Sequence, residues 1–142
     1  KAEKAANAEG ARRLGFGEAG AVLDRVRQGA VEALLVLGHD ALASGALASL
    51  DELEELETLV LVDSHQSALA RVAHVVLPVR VAAEKRGTLT NAAGIVQAVE
   101  PAVEPAFEAW TEAELLWRLG ALLGVEEFAG RFDPAAVAGA AP

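Results

Sequence analysis

The stretch Val75–Gln97, VVLPVRVAAEKRGTLTNAAGIVQ, decides how this chain is read. Val75, Val76 and Leu77 form a buried-type strand that stops at Pro78, which has no N–H to pair. A charged cluster follows (Glu84, Lys85, Arg86), and then Gly87–Asn91, whose Gly and Asn predict a turn. A second apolar run opens at Ile95 and continues to Val99, a further strand or extended segment that ends before Pro101.

Upstream, two more short apolar runs end in polar loops. Val31–Leu37 ends at Gly38, and Leu59–Val62 ends at Asp63. With Val72–Leu77 as the third strand, holding His74 inside it, these predict strands buried on both faces. Helical signals lie between them. Ala19, Val22, Leu23 and Val26 recur at helical spacing across Glu18–Gln28 before Gly29, and Lys1–Leu14 is a plausible helix broken by Gly15 and Gly17. Ser49 with Glu52 makes a capping box, and Ser64 is placed to cap a short helix over His65–Arg71. Strands alternating with helices predict right-handed crossovers and a parallel sheet. The expected fold is therefore α/β, a Rossmann-like three-layer domain over residues 1–128 with a mostly parallel sheet. Thr111 and Glu114 open a C-terminal helix at about 108–124, with Leu115, Leu116, Leu119, Leu122 and Leu123 on its apolar side and Gly124 as its stop. Residues 129–142 read as a flexible Ala/Gly/Pro tail or linker.

Composition narrows the function classes. A chain of 142 residues suits one domain with a real core, and 53% apolar residues is too many for disorder. No apolar run approaches membrane-spanning length. The net charge of −9, from 12 basic and 21 acidic side chains, argues against nucleic acid as a partner. The absence of cysteine excludes disulfides, thiolate zinc sites, cysteine-ligated iron–sulfur clusters and cysteine nucleophiles within these residues. Methionine is absent even at position 1, and the start is polar, so a segment of a longer polypeptide is expected.

Ligands of open α/β sheets bind beyond the carboxyl ends of the strands. The candidates there are Gly38, His39 and Asp40, then Asp63, Ser64, His65 and Gln66, with Pro78–Arg80 after the third strand. A cofactor or nucleotide has suitable groups here, and His39, Asp40 and His65 are candidates to meet along the rim, a meeting that the sequence does not decide. Against this, strand ends are polar in any such fold, and Asp63 and Ser64 suit capping, so the structural reading outweighs the ligand one. No dinucleotide GxGxxG, P-loop or Gly-x-Ser-x-Gly elbow is present. Glu84–Arg86 reads as a solvated loop with local ion pairs rather than an anion site.

Residues 73–97 resemble a signature of the molybdopterin oxidoreductase superfamily, Ala-Asp-Val-Val-Leu-Pro, a spacer, Glu-Lys-x-Gly-Thr-x-x-Asn and Glu-Gly-Arg-x-Gln. Matching positions are Ala73, Val75–Pro78, Glu84, Lys85, Gly87, Thr88, Asn91, Gly94 and Gln97. Asn7–Gly15, Leu34–Asp40 and Leu59–His65 extend the resemblance. Catalytic members, such as formate dehydrogenases, bind a bis-guanine-dinucleotide molybdenum or tungsten cofactor and usually carry Gly-x-Asn-Pro after the first strand. Here Gly38-His39-Asp40-Ala41 is similar instead to the large iron–sulfur subunit of respiratory complex I, which generally lacks that cofactor. The family's Asp is His74, and its Glu and Arg are Ala93 and Ile95.

That resemblance implies a structural segment of NADH:quinone oxidoreductase with no catalytic residue, metal ligand or redox centre of its own, its iron–sulfur clusters lying elsewhere in the subunit. The implied partners are the other subunits of the peripheral arm and further domains of the same chain. The implied location is the cytoplasmic, inner face of the membrane, without insertion. Vestigial cofactor contacts would fall on Gly38, His39, Asp40, Asp63, Ser64, His65, Gly87, Thr88 and Asn91, and molybdopterin is expected only under the catalytic alternative. A third possibility is an independent small-ligand or interaction domain.

Overall fold

The structure is a computed structural model that describes residues 7–134. Two compact units are present: Gly17–Val79, and a second that joins Lys1–Phe16 to Arg80–Pro142. The boundary falls inside the decisive stretch.

In Gly17–Val79, helix α2 (Ala19–Arg27) precedes strands β1 (Ala33–Leu37), β2 (Thr58–Asp63) and β3 (Val75–Pro78). The strands form a parallel sheet in the order β1-β2-β3, as the α/β reading predicts. Leu59 and Leu61 of β2 are fully buried, and register places Leu34 beside Leu59 and Val36 beside Leu61. Leu23 and Val26 of α2 join Leu47, Leu53, Leu56 and Leu69 against them to make the core. Val22, expected on the buried stripe, is 45% exposed. Gly29, at φ 65°, lets the chain leave α2, with Ala30 N–H donating back to the Arg25 carbonyl.

The crossovers are shorter than the sequence predicts. Between β1 and β2 only the 3₁₀ turn Leu50–Leu53 forms, and between β2 and β3 only the turn Ala68–Arg71. The link from Asp63 to Val75 is too short for a multi-turn helix with its two loops. Ser64 therefore caps nothing: the turn starts after Ser67, and the Ser64 hydroxyl instead meets His65 Nδ1 at 2.9 Å. The Ser49–Glu52 capping box is present. Glu52 accepts from the Ala48 and Ser49 amides at 2.7 and 3.1 Å, and takes Arg27 Nε at 2.6 Å, tying α2 to this turn.

His74 lies just before β3 rather than within it, because Val72 and Ala73 still donate to the Leu69 carbonyl. Its own N–H donates to the Leu59 carbonyl at 2.9 Å, and its Nδ1 accepts the Leu59 N–H at 2.9 Å. One residue thus satisfies both backbone groups of a buried position.

In the other unit, α1 (Ala8–Arg13) packs on a hairpin of β4 (Gly87–Thr90) and β5 (Val96–Val99), an antiparallel pair forming its own two-stranded sheet. Asn7, at φ 65°, accepts the Thr90 N–H on its side chain at 3.0 Å. Gly10 is required at this contact, since a Cβ would stand 2.9 Å from Thr90 Oγ1 and 2.7 Å from Asn7 Oδ1. Helix α3 (Glu112–Leu122) is shorter than the expected 108–124. Thr111 caps it, accepting the Glu114 N–H at 3.2 Å, but the Glu114 carboxylate turns to Arg118 instead of completing a box. Trp117 meets Phe128 edge-on at 5.2 Å, and Phe128 lies over Gly120. The part of the expected tail from 135 onward, and Lys1–Ala6 of the expected first helix, lie outside the described residues.

His74→Asp keeps an acceptor beside Leu59 and should leave stability nearly unchanged. His74→Ala strands a buried N–H and should cost about 1–3 kcal/mol, read from the urea unfolding midpoint. A second expectation concerns acid. The Glu52 carboxyl is held below the usual carboxylate range, first by the Arg27 hydrogen bond and then by the Ala48 and Ser49 amides. A carboxyl depressed in the folded state stabilises fully above its unfolded value of about 4.3 and loses that contribution as pH falls toward the folded one. Glu52→Gln should therefore flatten the fall in stability below about pH 5, measured by unfolding across an acid series.

Candidate functional site

Parallel register brings the loops after β1 and β2 to one edge of the sheet. Gly38 turns the chain out of β1 at φ 55°, and its N–H pairs with the Val62 carbonyl at 2.8 Å. A Cβ there would meet nothing within 4 Å, so the space above it is open. Asp40 is spent on its own loop: one carboxylate oxygen accepts the Leu42 and Ala43 amides at 3.1 and 2.9 Å. His39 is exposed, with Nε2 at 3.3 Å from the Ser44 hydroxyl. Across the sheet, Asp63 accepts the His65 N–H at 3.1 Å, and Ser64 meets His65 Nδ1.

The two loops are thus neighbours at the sheet edge without a shared network. Among the described residues no hydrogen bond joins residues 38–44 to 63–67, and no group of three His, Asp or Glu side chains is placed to hold a metal ion. Among the described residues, the two Ser–His contacts lack the third group that orients the imidazole of a working nucleophile–base pair. Of the third rim segment, Arg80 is committed elsewhere in its own unit, donating from N to the Trp110 carbonyl and from Nε to the Ala109 carbonyl at 2.7 Å.

Gly87, Thr88 and Asn91 belong to the other unit. Of Gly87–Asn91, expected as a turn, Gly87–Thr90 is instead strand β4, with Gly87 opposite Val99 and Thr88 opposite Ala98. The turn is Asn91–Ile95. Asn91 Oδ1 accepts the Ala93 and Ile95 amides at 2.9 and 3.0 Å, and Gly94 takes φ 79°, where a Cβ would collide with the Arg13 guanidinium. This is the type I turn with a following glycine that favours three-residue hairpin loops. Asn91 spends its acceptor closing it.

The Glu84–Arg86 cluster is no free anion site either, and its ion pairs are not local. Glu84 accepts the Val81 N–H at 3.0 Å with one oxygen and the Ala106 N–H at 3.2 Å with the other. Lys85 pairs with Glu112 at 2.6 Å, and Arg86 with Glu100 at 2.9 Å. Together with the Ala83 carbonyl, which accepts from Ala102 and Val103, the cluster fastens the 100–112 connection to its own unit. Sequence reasoning missed Asn7, Arg80 and Glu84 as structural anchors. Their partners lie 83, 29 and 22 residues away, so no local signal marks them.

A guanine-dinucleotide cofactor carries a pyrophosphate, and its cradle needs free N–H groups or cations. Residues 38–44 and 63–67 contain no Lys or Arg and contribute two carboxylates. The Ser44 and Ser64 hydroxyls and several amides are already paired, and Ser67 Oγ is buried without a partner among the described residues. The residues present do not fit a pyrophosphate.

A family model for molybdopterin oxidoreductase matches residues 2–121. The NADPH-Fe(3+) oxidoreductase subunit alpha of two strains of Geobacter sulfurreducens is 39% identical over 100 residues, which is 69% of this chain and 12% of the relative. The chain therefore spans a small part of the length of these curated relatives. A match running through the sheet, the rim, the hairpin and most of α3 places the whole of this architecture in one family: the chain belongs to the molybdopterin oxidoreductases.

Proposed function

We propose that this chain is a structural segment of the large iron–sulfur subunit of an NADH:quinone oxidoreductase of the complex I type. It supports electron transfer from reduced nicotinamide nucleotide without holding a redox centre. The observation that carries the reading is the commitment of the signature residues to the backbone: His74 to Leu59, Glu84 to Val81 and Ala106, Asn91 to its own turn. Such residues build a scaffold, with their acceptor atoms spent on backbone amides. The relative named for NADPH and Fe(3+) supports a nicotinamide-nucleotide donor. It also brings iron(III) forward as an alternative acceptor.

The other subunits of the peripheral arm, and further domains of the same polypeptide, are the partners in this reading. No described helix is long and apolar enough to cross a membrane, which suits a peripheral place at the inner membrane face. The second reading, a guanine-dinucleotide-binding segment of a molybdenum or tungsten enzyme, draws on the open space above Gly38.

Metal analysis of the purified full-length protein separates the two, with iron and no stoichiometric molybdenum or tungsten expected. Asp63→Asn with His65→Ala should leave NADH-driven reduction of an artificial acceptor within about twofold of the parent. Deletion of the segment should instead block assembly of the complex. Normal assembly with abolished redox chemistry would falsify the scaffold role.

A further inference from the structure

The connection that Arg80, Ala83 and Glu84 fasten down holds three large apolar side chains out toward solvent. Phe107 is 58% exposed, Val103 54% and Trp110 46%. The backbone beneath them is fixed at three places. The Ala83 carbonyl accepts from Ala102 and Val103, Glu84 accepts the Ala106 N–H, and Arg80 donates to the carbonyls of Ala109 and Trp110. Apolar anchors on a backbone that is already ordered have less entropy to lose when a partner binds. Tryptophan is also among the side chains on which binding energy concentrates.

The charges around these side chains select the partner. Glu100, Glu112 and Glu114 are neutralised by Arg86, Lys85 and Arg118. Glu104 and Glu108, on either side of Phe107 in the chain, are exposed and have no ion pair or hydrogen bond among the described residues. The Trp110 ring already takes a cation, with the Arg118 guanidinium carbon 4.3 Å from its centroid. A second copy seated symmetrically on this surface would bring the same two carboxylates to the contact. Anionic lipid and nucleic acid would bring phosphates. Each of these meets like charge. A polypeptide with Lys or Arg set among apolar residues satisfies both the rings and the carboxylates. Exposed opposite charges also speed encounter between separate molecules, a gain that a tethered segment does not need.

We propose that Val103, Phe107 and Trp110, rimmed by Glu104 and Glu108, dock a basic, apolar segment of a separate polypeptide. This deepens the scaffold role, on which it rests for having a separate chain as partner. Iron content and assembly decide that role, and neither enters the readouts below.

The test uses the purified full-length protein and a labelled synthetic amphipathic peptide of leucine and lysine, followed by fluorescence anisotropy. This peptide should bind, and a leucine–glutamate counterpart should not. Phe107→Ser should weaken binding at least about tenfold. Glu104→Gln with Glu108→Gln should weaken it about three- to tenfold and make it less sensitive to salt. Glu54→Gln with Glu55→Gln, which removes exposed carboxylates of the other unit, should leave it within about twofold. Binding indifferent to Phe107→Ser, an equal loss from the Glu54 and Glu55 pair, or no binding of the lysine peptide would each overturn the proposal. A second measurement asks what covers the surface in the protein alone. Phe107→Cys should react with a maleimide as fast as Glu57→Cys, an exposed position of the other unit, as read by peptide-resolved mass spectrometry. Protection at every protein concentration would mean a segment of the same polypeptide, and protection that grows with concentration a second copy; either defeats the proposal.

Discussion

Parallel pairing on both sides of β2 is the constraint on which the Gly17–Val79 unit depends. A parallel neighbour cannot be reached by a tight turn, so the chain must travel back along the sheet before each new strand. Those return paths deliver Leu47, Leu53 and Leu56 after β1, and Leu69 after β2, onto Leu59 and Leu61. The core exists because the crossovers exist. Leu53 and Leu69 reach that core from 3₁₀ turns rather than longer helices, beside Leu23 and Val26 of α2.

The same pairing assembles the rim. Gly38 to Asp40 and Asp63 to His65 share an edge because β1 and β2 run the same way, which is where α/β sheets acquire ligand sites. Location does not supply chemistry. Asp40 and Asp63 accept from their own loops, and the two histidines contact neighbouring serines. Two carboxylates without a cation make an edge that disfavours phosphate.

The residues carrying the family signature have a common physical task. His74, Glu84 and Asn91 each accept backbone N–H groups, and Lys85 holds Glu112. His74 is the instructive case. As a substitution for an aspartate it looks like lost binding chemistry, but its Nδ1 occupies the role of an acceptor for a buried amide. This departure gives the position a structural task, the pairing of a buried strand amide.

Local chemistry was legible in the residues themselves. The Ser49–Glu52 box, the glycine stops after α2 and α3, the Thr111 cap and the three apolar runs depend on neighbours within a few positions. The sequence alone therefore determined the α/β class and the parallel sheet built from the three apolar runs. What only the tertiary structure decided was non-local. A single-residue signal does not reveal that Asn7 answers Thr90, that Glu84 reaches Ala106, or that Gly87–Thr90 pairs with Val96–Val99 and so becomes strand rather than turn. Those choices turn on which distant backbone group remains unpaired after folding, and a polar group's partner is set by that accounting rather than by its place in the chain.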